Sequence, residues 1–175
     1  MAVTVAIKFE GKKIRIGGSG PMSFNTSQML QLGSFANKTV IARTRSGIGS
    51  DDAAFPPLST KTSAIRVNGK FLRQHAGYAA WKSAHGLAPI RDMWGTGAQN
   101  GHMLDNSTVR YADDTTVKIA FTARMARIKA LSNERRTPFY SFSEMDQKKI
   151  IDFAAKLWSS NVKKVIAAFT GRRAA

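Results

Sequence analysis

The residues of this chain with catalytic potential are few, and their spacing is wrong for most chemistry. His75, His85 and His102 show no HxxxH or HExxH spacing, so they do not compose a zinc site. Asp51-Asp52 and Asp113-Asp114 are carboxylate pairs, a type that can hold Mg²⁺ or divide acid and base roles. Both pairs fall in expected turns, where Asp is favoured for hydrogen bonds to its own backbone. The run Gly95-Thr96-Gly97-Ala98-Gln99-Asn100-Gly101 is like a phosphate loop only in its glycines. It lacks the Gly-Lys-Ser/Thr ending and opens no helix after a strand. There is no Gly-x-Ser-x-Gly elbow, and no cysteine for a nucleophile, a disulfide or a thiolate metal site. The sequence therefore reads as a non-enzyme, with neither a cofactor nor a metal.

What stands out instead is charge. The 175 residues carry 27 Lys+Arg against 11 Asp+Glu, a formal net charge of +16, with pI about 10.7. A balance this basic points to nucleic acid, an acidic assembly or a membrane surface; the plain alternative is a solvated exterior. Charge is also unevenly placed. No acid occurs between Asp52 and Asp92, while Lys61, Arg66, Lys70, Arg73, Lys82 and Arg91 do. From Phe153 to the end there is again no acid, against five Lys or Arg. Phe71, Tyr78 and Trp81 lie among the basic residues of the first block. They could add base stacking to phosphate contacts, or simply form core. No helix-turn-helix, zinc-finger or RNA-binding signature is readable.

The elements that must position these residues follow from periodicity. Hydrophobic content of 43% and 9% aromatics suit a folded domain, expected as a single one over 1–175. No apolar run reaches the roughly 18 residues of a membrane span, and the N-terminus is unlike a signal peptide; a soluble protein with no membrane partner is expected. Val3, Val5, Ile7 and Phe9 alternate, a turn follows at Glu10–Lys13, and Ile14-Arg15-Ile16 returns. This predicts an N-terminal hairpin, assigned with residues 1–24 to an arm.

Asn25, Thr26 and Ser27 are N-cap candidates for a helix over 27–45, with Arg43 and Arg45 at its negative end. Residues 46–73 contain Phe55-Pro56-Pro57-Leu58 and are expected to be an extended assembly loop. A short helix is predicted at 76–84. Residues 106–121 alternate around Ala112-Asp113-Asp114-Thr115 and predict a β-hairpin with an acidic turn. Residues 123–131 suggest a short basic helix. Ser143 with Asp146 three residues on has the form of a capping box. The final helix, 144–168, places Ile151, Ala154, Trp158, Val162, Val165 and Phe169 on one stripe. The expected class is α+β: a small antiparallel sheet packed with an N-terminal helix and a long C-terminal helix, plus long loops.

Taken in order, these segments resemble the virion morphogenesis, or tail-completion, family of tailed phages, such as the Mu-like and P2-like groups. The resemblance rests on Arg43-x-Arg45-x-Gly47 and Phe55-Pro56-Pro57-Leu58, with Lys61 and Arg66 beyond. It continues through Thr96-Gly97 with Met103-Leu104-Asp105-Asn106-Ser107, and ends on Arg136-Thr137-Pro138-Phe139-Tyr140-Ser141-Phe142-Ser143-x-x-Asp146. It covers about residues 27–158. The chain departs from the family pattern in Ala98–His102, which look inserted, and in the hairpin at 3–16.

The resemblance implies a non-catalytic structural protein of the virion, at the head–tail junction, assembled in the host cytoplasm. Its partners would be further copies in a ring, a hexamer or a 12-mer. Adjoining neck, tail-terminator or tail-tube proteins would follow, with the phage DNA end as a further contact. The candidate electrostatic contacts are Lys61, Arg66, Lys70, Arg73, Arg135 and Arg136. The alternative function is a basic nucleic-acid-binding protein without catalysis.

Overall fold

The computed structural model describes residues 6–10, 13–17, 24–57, 63–67, 70–75, 77, 79–80 and 103–171. Along the chain run β1 (Ala6–Glu10), β2 (Lys13–Gly17), α1 (Thr26–Arg45), β3 (Ser63–Val67) and β4 (Lys70–His75). A 3-10 turn at Met103–Asn106 leads into β5 (Ser107–Ala112) and β6 (Thr116–Phe121). Two helices follow, α2 (Arg124–Arg136) and α3 (Glu144–Gly171). The class is α+β, as the sequence predicts.

Four strands form one antiparallel sheet in the order β1-β2-β6-β5. The N-terminal hairpin is therefore not an arm. Ile14 lies opposite Val117, and Ile14 and Ile16 are buried while Arg15 between them is exposed. Two isoleucines on one face of a return strand need a hydrophobic partner, and β6 supplies it. β6 itself alternates as predicted, with Val117, Ile119 and Phe121 buried and Lys118 exposed.

α1 crosses the inner face of this sheet. A reciprocal capping box starts it: the Gln28 amide donates to the Asn25 side chain, and the Asn25 amide donates to Gln28. Met29, Leu32, Gly33, Ala36, Val40 and Thr44 recur at helical spacing and are buried. Gly33 lets the helix approach: a Cβ there would collide with Val117 Cγ2 and stand 2.9 Å from Val109 Cγ2. Gly47, with φ of +80°, ends the helix by taking the left-handed conformation that side chains disfavour.

α3 packs against α1, with Phe35 stacked on Phe153 at a centroid distance of 4.2 Å. Its buried stripe is displaced from the predicted one. Ile150 and Ala154 are buried and Phe153, Leu157 and Trp158 partly so, whereas Ile151 is 43% exposed. The helix turns toward Phe35 because its first turn is pinned by side-chain bonds described below.

The expected loop over 46–73 also differs. Residues 48–54 close a compact turn through an Ile48–Ala54 bridge, and Phe55 N donates to Gly47 O at 2.7 Å. Further on, β3 and β4 pair as an antiparallel hairpin, with Arg66 opposite Phe71 and Val67 opposite Lys70. The sequence does hold a cue for it: Asn68-Gly69 joins two alternating runs, a strong short-range hairpin signal. The prolines at 56 and 57 mask that cue by suggesting one long irregular segment. Of the predicted helix at 76–84, only Gly77, Ala79 and Ala80 are described, and they are helical; the Gly-rich run at 95–101 lies outside the described residues.

Candidate functional site

Among the described residues, the most densely bonded place lies where the last turn of α1, the 138–143 segment and the first turn of α3 meet. Arg43 enters from α1. Its guanidinium donates to the Asp146 carboxylate and to the Phe139 carbonyl, and donates to the Ser141 carbonyl at 3.1 Å. Arg43 is 8% exposed and Asp146 1%. Two ionised groups this deep are costly to desolvate unless their bonds are satisfied. Burial dominates both: it pushes the Asp146 carboxyl up and the Arg43 guanidinium down, each against the attraction of the other. Such a pair fixes geometry more than it adds stability.

Asp146 does double duty as the predicted capping box. Its amide donates to Ser143 Oγ at 3.1 Å, and its carboxylate accepts from the Ser143 amide at 3.2 Å. A second acid joins from the 48–54 turn. Asp52, at φ of +59°, accepts from the Met145 amide at 3.2 Å. The neighbouring Ser143 hydroxyl, then the Met145 amide, hold the Asp52 carboxyl below its ordinary range. A carboxylate at a helix N-terminus is placed well against the helix dipole. Ser50 N donates to the Pro138 carbonyl at 3.1 Å, so this turn is tied to the same segment.

Around this knot the other segments close up. Glu134 of α2 accepts from the Phe139 and Tyr140 amides at 2.9 and 3.0 Å. The Tyr140 hydroxyl bonds Ser107 Oγ, which donates to Asn37 Oδ1 at 2.5 Å; Asn37 Nδ2 donates back to the Ser107 carbonyl at 2.9 Å. Burial pushes the Tyr140 phenol up to about 12. At the surface Arg45 pairs with Asp105 at 2.5 Å. A cleft of about 430 Å³ lies beside the knot, walled by Phe35, Lys38, Ala42, Met145 and Lys149.

The two carboxylate pairs behave as turn residues. Asp51 accepts from the Ala53 amide at 3.1 Å. Asp113 accepts from Tyr111 Oη, from the Thr115 amide and hydroxyl, and from the Thr116 amide. The Tyr111 hydroxyl and then these amides lower its carboxyl to about 2. Among the described residues no group of three or more His, Asp or Glu is gathered as for a metal ion.

The predicted electrostatic residues fall on different elements of the chain. Arg66 belongs to β3, and Lys70 and Arg73 to β4 of the separate two-stranded hairpin. Arg135 is exposed on α2 and Arg136 is that helix's last residue. Lys61 lies outside the described residues. Arg43, the centre of the knot, reads in the sequence only as a charge at a helix end. No spacing rule links it to Asp146. The one available signal is an arginine spaced among residues of the buried stripe, since Arg43 follows Ala36 and Val40 by seven and three positions. Compared with protein families, with curated proteins and with solved structures, the chain matches none.

Proposed function

We propose that this chain is a structural component of a tailed-phage virion at the head–tail junction, needed to join the tail to the DNA-filled head. It would act without catalysis or cofactor, as a homo-oligomeric ring of six or twelve copies between adjoining neck or tail proteins. One observation carries the reading. Four of the described segments on which the family resemblance rests, spread over a hundred residues, are bonded to one another. Arg43 meets Asp146, Phe139 and Ser141; Arg45 meets Asp105; Ser107 meets Tyr140; and Gly47 meets Phe55. Contacts among these segments, some buried and one at the surface, support reading them as parts of one pattern.

The charge fits the same reading, since +16 suits an acidic neighbouring ring or the DNA end. Light scattering on the purified chain, paired with DNA retention over a salt series, tests it. The reading expects a ring mass, or a monomer that is incorporated when tails are supplied. A monomer that joins no tails, with DNA affinity falling steeply with salt, would make it a nucleic-acid-binding protein instead.

A further inference from the structure

We propose that the outer face of α2 is a docking surface for an acidic protein segment that presents an apolar stripe. It rests on α2 alone and is independent of the virion reading. α2 sits on the 3-10 turn and β6 through Ala126, Ala130 and Asn133, all buried and spaced i, i+4, i+7. Directly opposite, at i, i+4, i+7 and i+11, run Arg124, Ile128, Leu131 and Arg135. Ile128 is 47% and Leu131 54% exposed, and both arginines are exposed. Two branched aliphatics thus form the centre of the outermost line of a surface helix, with a guanidinium at each end. That is the spacing by which one helix reads another.

Charge selects the occupant. The only acid in α2 is Glu134, whose carboxylate is engaged by the Phe139 and Tyr140 amides. An antiparallel pairing of two α2 helices centred on Ile128 and Leu131 would set Arg124 against Arg135 of the other copy. That like-charge contact disfavours a second copy. Phosphate backbones would use the arginines and leave Ile128 and Leu131 without a partner, and α2 carries no aromatic for base stacking. A segment with apolar residues between acids satisfies both features.

The test uses the full chain with two double variants, Ile128→Ser with Leu131→Ser, and Arg124→Glu with Arg135→Glu. Three probes are titrated: a designed helical peptide with a leucine stripe between glutamates, vesicles of equal phosphatidylcholine and phosphatidylserine, and duplex DNA. A scrambled peptide of the same composition is the control. The proposal expects the designed peptide to bind, the scrambled one to bind weakly, and each double variant to lose about tenfold in affinity at an unchanged thermal midpoint. Equal binding of both peptides, or no loss in the serine variant, would reduce the effect to bulk charge and overturn it. Loss of vesicle or DNA binding in place of peptide binding would assign the face to a membrane surface or to nucleic acid. A lowered midpoint in the serine variant would show that the chain covers this face itself.

Discussion

Arg43, on the last turn of α1, donates to the carboxylate of Asp146, on the first turn of α3, although 103 positions separate them. Both are buried, and Asp146 also caps its own helix. The bond sets where α3 begins relative to α1, and so which of its faces meets Phe35. Removing one partner strands the other charge. Arg43→Met is expected to cost about 3–5 kcal/mol in urea unfolding. Adding Asp146→Leu to it should cost less than the sum of the two single changes. Additive losses would mean that the two side chains do not act as a pair.

The rotation of α3 makes a second expectation from adjacent residues. Ile150 is fully buried and Ile151 is 43% exposed. Ile150→Ala should cost about 3 kcal/mol, and Ile151→Ala less than about 0.5 kcal/mol. Equal losses by chemical denaturation would restore the stripe read from sequence.

Gly33 offers a sharper test of the helix-to-sheet distance. In an exposed helix, Gly→Ala gains about 1 kcal/mol from propensity. Here the added methyl runs into the Val117 side chain and comes within 2.9 Å of Val109. Gly33→Ala should therefore destabilise by about 1–3 kcal/mol as the overpacked interface shifts. A raised thermal midpoint would show that α1 stands further from β5 and β6.

These three sites also show what the sequence could and could not reveal. The 107–121 hairpin, its Asp113 turn and the Ser143/Asp146 box are legible because each is a local pattern of a few residues. Arg43–Asp146 is not, because an ion pair across a hundred residues leaves no spacing to read. Ile151 is misplaced by periodicity for a related reason. Apolar residues occupy both 150 and 151, and only the pinned first turn of α3 decides which one faces inward. The N-terminal hairpin is visible as a unit, but its pairing with β6 is a long-range choice made by Ile14 and Val117 together. Of the proposed charged contacts, Arg66, Lys70 and Arg73 look like loop positions because prolines upstream conceal the Asn68-Gly69 signal in the sequence.

Two groups predict opposite edges of the pH–stability curve. Asp113 is held at about 2, below its ordinary 3.8, so its contribution is present above the ordinary value and lost as pH falls from about 4 to 2. Asp113→Asn should flatten that acid limb. Asp146 has the opposite sign, since burial raises it, and adds nothing to acid lability. Tyr140 is raised from 10.0 to about 12, so its contribution is present below pH 10 and lost as pH rises toward 12. Tyr140→Phe should flatten the alkaline limb while losing about 1 kcal/mol from the Ser107 bond. Unaltered limbs in either variant, followed by far-UV circular dichroism, would show that the group makes no such contribution.

Whether this chain joins tails to heads is tested most directly by counting particles in a phage deleted for it. Electron micrographs of the deletion lysate should show filled heads and complete tails lying apart. Supplying the wild-type chain should restore joined particles, and supplying Arg43→Met, which loosens the knot, should restore far fewer. Joined, infectious particles in the deletion lysate itself would contradict the proposed role.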